Sequence, residues 1–292
     1  MIAYDCDIER LKAAVDVLQP SWQTKAKVRA KEIARKKKFE EASSIWSEVK
    51  EVFIELQHRK CVFCERQFES QEYGRIEHDL EHFRPKSSVK PWPPRDWTTN
   101  YTAPMGGDSK DGYYWLAYDL ENYAAACKVC NSPLKSDYFP VAGQRAKTKR
   151  SYDPSQEKPY LCYPIGANDV NPETLITFRA TTAVPVAASG HARVRGEVII
   201  DFFQLNERLQ LHRERARMIS LLGSALKSIQ VGIDVAVNTQ VVSRLEGAHI
   251  PHAACLRAFR RTWNSDKLFA ERVHTVCQLY AVGIEDNKPP QV

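Results

Sequence analysis

The sequence has no apolar run long enough to cross a bilayer, which takes about 20 consecutive apolar residues. It also lacks internal repeats and low-complexity segments. Its first ten residues, MIAYDCDIER, carry acids where a secretory signal peptide has a basic start followed by an apolar stretch. With 292 residues, 43% hydrophobic and 27% charged, the chain is long enough for one or two domains with ample core. We therefore expect a cytoplasmic protein without a membrane partner.

A large excess of charge of one sign is missing as well. The formal net charge of +6 is below the level that by itself indicates a nucleic-acid-binding protein. The distribution is more informative, because residues 25–38, KAKVRAKEIARKKK, contain eight Lys or Arg and one Glu. Such a segment is either the solvated face of a helix or a stripe that contacts phosphates and gains affinity through counterion release. Both interpretations remain open.

Four segments differ in pattern along the chain. Residues 1–57 show helical spacing in three stretches, 7–19, 24–39 and 45–56, with Trp46 on the buried face of the third. Residues 58–142 are irregular and contain paired cysteines. Residues 143–195 are polar, with strand candidates near 160 and at 174–179. In the last segment, 196–292, residues 198–203 are either a strand or the lead-in to a helix, and 206–230 and 266–283 show helical spacing. These patterns predict an α+β protein that is mostly α, with helical regions on both sides of a cysteine-containing core.

The eight cysteines fall into two classes. Four are scattered and are interpreted as free, mainly buried thiols; they are Cys6, Cys162, Cys255 and Cys277. The other four form two C-x-x-C pairs; they are Cys61, Cys64, Cys127 and Cys130. Zn²⁺ takes four soft ligands in a tetrahedron, and each C-x-x-C turn supplies two of them. The sequence therefore predicts a structural zinc site with a long insert between its halves, with a redox dithiol as the alternative.

Residues suited to metal-assisted hydrolysis lie in and beside this insert. Glu81 and His82 are neighbours on an extended segment, so their side chains point to opposite faces. Asn131 directly follows Cys130, so the zinc would also determine where Asn131 lies. A carboxylate and an amide oxygen are hard ligands suited to Mg²⁺ or Mn²⁺. Two protein ligands leave positions open for water and phosphate, and a neutral histidine near that water can act as a general base.

The segments EHFRPK and ENYAAACKVCN, framed by the two C-x-x-C pairs, resemble the HNH endonucleases, which have a ββα-metal core. The resemblance implies that His82 is the general base. It implies that Glu81 replaces the usual aspartate as a metal ligand and that Asn131 is the second ligand, where many members have histidine. It also implies that Asn122 holds the loop after His82 through its backbone, and that the four cysteines bind structural zinc.

Further segments resemble one branch of that family. They are DLEHFRPK, YYWLAYDLENY, the CN at 130–131, the FP at 139–140 and, more weakly, FFQLNERLQLHRERA at 202–216. This branch includes the HNH subunits of Septu-type and retron-linked anti-phage systems, which work beside an ABC-type ATPase. The resemblance implies DNA as the substrate and such an ATPase as a partner. It places the nuclease core at 58–142, between a helical arm at 1–57 and a helical region at 196–292.

Several further residues are candidates for supporting roles. Three basic side chains are expected to contact the nucleic-acid backbone: Lys135, Arg84 and Lys86. His78 is either an additional ligand or supporting group, or an ordinary surface residue. Asp79 and Glu77 are candidates for additional carboxylates.

Together these features predict a metal-dependent endonuclease that hydrolyses DNA phosphodiester bonds as the effector of a bacterial defence system. The alternative is a zinc-framed module that binds nucleic acid or recruits a partner without cutting. A module that had lost catalysis would show a broken His/Asn set, whereas His82, Asn122 and Asn131 are all present.

Overall fold

The computed structural model describes residues 1–68, 78–283 and 290. Those residues form an α+β protein in which about half of them are helical and two small antiparallel sheets are present. The helices are α1 (Ile8–Leu18), α2 (Trp22–Lys36), α3 (Lys50–Leu56), α4 (Pro154–Glu157), α5 (Gly190–Phe202), α6 (Leu209–Gln230), α7 (Val235–Leu245), α8 (Ala253–Ser265) and α9 (Lys267–Val282). The strands are β1 (His78–His82), β2 (Tyr123–Cys127), β3 (Ile176–Arg179) and β4 (Thr182–Pro185). Of the described helices, none is long and apolar enough to span a membrane.

The helices of the N-terminal arm confirm the predicted spacing. Asp7 caps α1 by accepting a hydrogen bond from the Arg10 amide at 2.7 Å, which satisfies one of the free donors of the first turn. The indole of Trp22, on the buried side of α2, donates to the Ile45 carbonyl at 2.7 Å. The third predicted helix begins with a 3₁₀ turn at Trp46–Val49 and continues as α3.

The two strands that bracket the insert pair with each other. β1 and β2 are antiparallel, with His78 opposite Cys127 and His82 opposite Tyr123. A short π-helical segment, Cys130–Lys135, follows β2 closely. The unit therefore has the order strand, strand, helix, and its second cysteine pair lies at the junction of β2 and the helical segment.

Gln57 attaches α3 to this hairpin. Its amide nitrogen donates to the carbonyls of Lys60 and Ala125, at 2.9 and 2.8 Å. Its amide oxygen accepts from the Ala125 amide at 2.7 Å. Gln57 is fully buried. One side chain thus satisfies both backbone groups of Ala125, in a place where water does not reach.

The C-terminal region is a group of packed helices. α6 packs against α7 and α9, α8 packs on β3, and α5 packs on β4. The helices predicted at 206–230 and 266–283 are confirmed as α6 and α9, and the strand predicted at 174–179 is confirmed as β3. Residues 198–203, expected to be a strand or the lead-in to a helix, lie in α5 and just beyond its end. The sequence analysis named no helix at 231–265, where α7 and α8 lie.

Buried side chains from all four segments join in a single cluster. At one junction Phe63, beside the first cysteine pair, stacks on Phe203 with ring centroids 4.1 Å apart. The four-segment division at 57, 142 and 195 stays a prediction from sequence, since the segments share this core.

We expect Gln57→Leu to lower the free energy of unfolding by about 1 to 3 kcal/mol, because it leaves the buried amide of Ala125 without a partner and removes one of the two donors to the Ala125 carbonyl. Gln210→Leu is the matched control, since Gln210 is exposed on α6 and donates to Glu214 on the same helix. Urea unfolding followed by circular dichroism compares the variants. Equal unfolding midpoints would contradict the role of Gln57.

Candidate functional site

The four paired cysteines lie together in the interior. Their sulfur atoms are all within 4.8 Å of one another, and the Sγ atoms of Cys64 and Cys127 are 3.9 Å apart. Tetrahedral zinc with Zn–S bonds of about 2.3 Å separates its sulfurs by about 3.8 Å, so the spacing suits such an ion. None of the four is in a disulfide. The cluster could therefore bind a metal such as zinc, and its joining of both pairs favours a metal over a redox dithiol.

Backbone and side-chain contacts support the cluster from outside. Arg208, just before α6, donates from Nη1 to the Cys130 sulfur at 3.3 Å. The Val62 amide donates to the Ala125 carbonyl of β2 at 3.0 Å, which joins the first cysteine turn to the hairpin. Such outer contacts orient metal ligands and neutralise part of the thiolate charge.

The first cysteine turn also holds the C-terminal region. Lys60, fully buried, donates from Nζ to the Ile250 carbonyl at 2.8 Å. The buried Glu65 accepts at 3.3 Å from the amide of Ala254, the second residue of α8. The cysteine cluster thus lies where the hairpin and the C-terminal helices meet.

His82 ends β1 and is buried, with 6% of its surface exposed. Its Nε2 is 3.0 Å from the carbonyl oxygen of Ala117. Because a carbonyl only accepts, the ring proton is on Nε2, and Nδ1 of the neutral ring keeps a free lone pair. No hydrogen bond to Nδ1 exists among the described residues. Burial, helped by the charge of Lys86, lowers the pKa of His82 well below its usual range, so the neutral form prevails.

Two aromatic rings hold the imidazole edge-on. The Trp46 ring centroid is 4.9 Å from that of His82, and the Tyr123 centroid is 5.0 Å away, with interplanar angles of 87° and 85°. Tyr123 is the residue opposite His82 in the hairpin, whereas Trp46 comes from the N-terminal arm. The arm therefore covers the histidine that the sequence identified as the general base.

Asn122 lies directly beside the chain that leaves His82. Its Oδ1 accepts from the Arg84 amide at 2.8 Å, and its Nδ2 donates to the Arg84 carbonyl at 3.0 Å and to the Leu116 carbonyl at 3.2 Å. Asn122 is buried. These are the contacts of a residue that positions the turn after β1; its part in catalysis stays a prediction.

The carboxylates of β1 face the helical segment Cys130–Lys135. Glu81 Oε1 is 3.1 Å from the ammonium nitrogen of Lys135. Asn131 Nδ2 donates at 3.1 Å to Asp79, which also pairs with Lys128. No hydrogen bond joins Glu81 to Asn131 within the described part of the chain, so the two predicted cation ligands each have another partner. Burial raises the pKa of Glu81, and Lys135 acts against that rise.

The oxygen atoms on this face are of the chemical type that Mg²⁺ and Mn²⁺ bind. They belong to Asp79, Glu81 and Asn131, and a catalytic cation among them stays a prediction. Lys135 is the competing feature, because its positive charge already lies beside Glu81. Glu77, the other predicted carboxylate, is outside the described residues.

The three predicted phosphate contacts are not on open surface. Arg84 is buried, with Nε 3.4 Å from Glu157 and its guanidinium 4.9 Å from the Phe139 ring centroid. Lys135 is fully buried. Lys86 is half-buried, with Nζ 4.6 Å from the Trp46 ring centroid. Their roles in binding nucleic acid stay predictions, and only Lys86 keeps part of its surface accessible.

His78 and the basic stretch occupy different surroundings. His78 is buried and stacks on Phe68 with ring centroids 4.6 Å apart, which places it in the interior packing. Helix α2 exposes most of its basic residues, but Arg29 turns inward and donates to the Ser43 carbonyl at 2.7 Å. Tyr118 and Arg29 both hydrogen-bond Glu41, so the chain between α2 and Trp46 is attached to the core.

Trp46 is the site residue that the sequence analysis did not identify. Its spacing placed it on the buried face of a helix, which is compatible with ordinary core packing. Its contact with His82 joins segments 36 residues apart in sequence, and no local pattern indicates which ring will meet which. The same holds for Arg208, whose contact to Cys130 spans 78 residues.

We expect the purified protein to contain about one zinc per chain, and Cys127→Ser to lose most of it, because three thiolates and a hydroxyl hold zinc poorly. Cys6→Ser is the control, since Cys6 is half-buried, is not one of the four clustered cysteines, and donates from its sulfur to the Asp7 carbonyl. Inductively coupled plasma mass spectrometry measures the zinc content of each protein. Zinc-free wild-type protein, or equal zinc in both variants, would contradict the assignment.

We expect Trp46→Leu to make His82 react several-fold faster with diethylpyrocarbonate, because removing the indole opens the imidazole to solvent. Trp97→Leu is the control: Trp97 is also half-buried, but it packs on Trp92. Peptide mass spectrometry measures the modification of His82. An unchanged rate in Trp46→Leu would show that Trp46 does not cover the ring.

Comparison with known proteins adds no assignment. No protein-family model matches the chain, and neither a curated protein nor a solved structure matches it. Three features of the structure bear on function: four clustered cysteines, a neutral buried histidine with one free nitrogen, and a face of oxygen donors on the other side of β1.

Proposed function

We propose that the protein is a metal-dependent endonuclease of the HNH type that hydrolyses phosphodiester bonds of DNA. The proposal rests on the protonation and the hydrogen bonding of His82. The Ala117 carbonyl accepts the Nε2 proton, and burial keeps the ring neutral, so Nδ1 is available to take a proton from water. The buried histidines of the described residues differ in this respect. His212 uses both ring nitrogens, with Thr181 and Asn206, whereas His274 bonds through Nε2 alone, as His82 does. The free nitrogen of His82 therefore supports the proposal only together with the groups that surround it.

The surroundings of His82 support the same role. Asn122 fixes the turn after β1 by bonding both backbone groups of Arg84, so the end of the strand is held in one position. The order of β1, β2 and the helical segment Cys130–Lys135 is that of a ββα unit. A rigid end of strand is what a general base needs, because it must meet a water within hydrogen-bond distance.

A divalent cation, Mg²⁺ or Mn²⁺, belongs to this proposal. Glu81 and Asn131 would hold it, with Asp79 beside them. When bound, such an ion supplies positive charge that stabilises the developing charge on the phosphate and the leaving oxygen. Side chains alternate along a strand, so Glu81 and His82 lie on opposite faces of β1. The cation held by Glu81 and the base His82 would therefore contact a phosphodiester from different sides.

Structural zinc in the four-cysteine cluster is the second metal of the proposal. It would fix Asn131, which directly follows Cys130, and the start of the helical segment that carries Lys135. The exposed basic side of α2 would grip the DNA backbone without reading its sequence. Action in an anti-phage system beside an ABC-type ATPase is a proposal that rests on the resemblance alone.

A specific observation favours the alternative, a module that binds nucleic acid or a partner without cutting it. His82 is 6% exposed beneath Trp46, and Glu81 is paired with Lys135, so neither group is open to a substrate in this conformation. The cleavage experiment below separates the two functions.

With Mg²⁺ or Mn²⁺, we expect zinc-loaded wild-type protein to nick or linearise supercoiled plasmid, and His82→Ala to lose about 10²-fold to 10⁴-fold in rate, the usual contribution of a general base. His191→Ala is the control, because His191 is exposed and lies outside the hairpin. EDTA should stop the reaction. Gel electrophoresis with time gives the rates, and zinc content identifies folded variants.

Two results would go against the proposal. Equal cutting by wild type and His82→Ala would remove His82 from the mechanism. Binding of DNA by both proteins with no cutting by either would support the non-cleaving module.

A further inference from the structure

Lys135 has an unusual environment for an ammonium group. It ends the helical segment after the second cysteine pair and is fully buried. Its Nζ lies 3.1 Å from Glu81 Oε1, but it makes no hydrogen bond of good geometry to any of the described residues. Burying a charge with unmet donors is unfavourable unless a counter-ion lies close by. Glu81 is that counter-ion.

The other charges near this pair have partners of their own. Lys86 is held over the rings of Trp46 and Phe39, with Nζ 4.6 and 5.2 Å from their centroids. Asp137 pairs with Lys90 at 3.7 Å. Within the described residues, Glu81 is thus the one carboxylate at ion-pair distance from Lys135.

The same carboxylate is the cation ligand of the proposed function, so one anion faces two cations. A divalent ion on Glu81 would stand close to the Lys135 ammonium, and like charges in a buried site repel strongly. The Lys135 ammonium must therefore pair with a different anion before or while the divalent ion binds. Its unmet N–H groups can donate to an oxygen of another anion in place of Glu81.

We propose that Lys135 is an exchangeable internal counter-ion: it holds Glu81 in the free protein, competes there with a divalent cation, and moves to a phosphate group when substrate arrives. This inference rests on the proposed function, because it takes Glu81 as a cation ligand. Its consequence is coupling between the two ligands. Each should strengthen the binding of the other by the same factor, and such couplings amount to about 5-fold to 150-fold.

Lys128 provides a matched comparison on the same face. It pairs with Asp79, the other β1 carboxylate, but its side chain is 49% exposed. Water screens that pair, so removing Lys128 should change cation binding little. Both lysines therefore pair with a carboxylate of β1, but Lys135 is buried and Lys128 is exposed to water.

The test measures Mn²⁺ binding by electron paramagnetic resonance of the free ion, titrated into zinc-loaded protein. Dimethyl phosphate, the simplest phosphodiester, is the substrate probe, and a protein-free titration corrects for its own affinity for Mn²⁺. The variants are Lys135→Met, Lys135→Gln, Lys128→Met and Glu81→Gln. Two substitutions at Lys135 are used so that one folded variant, judged by zinc content and circular dichroism, is available.

We expect the Lys135 variants to bind Mn²⁺ about 5-fold to 150-fold more tightly than wild type without the probe. Dimethyl phosphate should tighten binding to wild type and to Lys128→Met, but not to the Lys135 variants. Glu81→Gln should lose the site.

Different failures have different meanings. Mn²⁺ binding that depends on Glu81 but is unchanged or weaker in the Lys135 variants would overturn the counter-ion role and leave the proposed function standing. Absence of Glu81-dependent binding in every protein would overturn the cation site of the proposed function, and the counter-ion inference with it.

Discussion

The rest of the structure depends on the meeting of four buried thiols. The first cysteine turn and the end of β2 are 63 residues apart at Cys64 and Cys127, yet their sulfurs are 3.9 Å apart. The cysteine cluster brings the two ends of the insert together. The helical segment that contains Lys135 begins there, at Cys130. Arg208 of the C-terminal region donates a hydrogen bond to the Cys130 sulfur. Buried thiolates without a cation would repel one another, so a metal ion is the natural partner of this arrangement. Hairpin, insert and C-terminal helices are thus joined at one point.

From that junction, the hairpin separates two kinds of chemistry. Strand alternation puts His82 on one face of β1 and Asp79 and Glu81 on the other. On the first face, aromatic rings and a backbone carbonyl keep an imidazole neutral and give it a single tautomer. On the second face, lysines neutralise carboxylates. The imidazole on the first face is therefore neutral, and the carboxylates on the second face are paired with lysines.

The N-terminal arm takes part in the first face. Trp46 covers His82 and carries Lys86 on its ring, and the loop before it is attached through Arg29 and Glu41 to Tyr118. The arm therefore contributes a ring that packs directly against His82.

Local patterns in the sequence determined a large part of this protein. Helical spacing predicted α1, α2, α6 and α9, and the two C-x-x-C turns predicted the four-cysteine cluster, because both signals lie within a few residues. Because Glu81 and His82 are neighbours on an extended segment, the sequence also predicted that their side chains point to opposite faces. Only the tertiary structure decided that Trp46 covers His82, that Lys135 is buried against Glu81, and that Arg84 turns inward to Glu157. Those contacts depend on which distant segments pack together. The sequence does not distinguish a charged side chain in solvent from one in a buried ion pair.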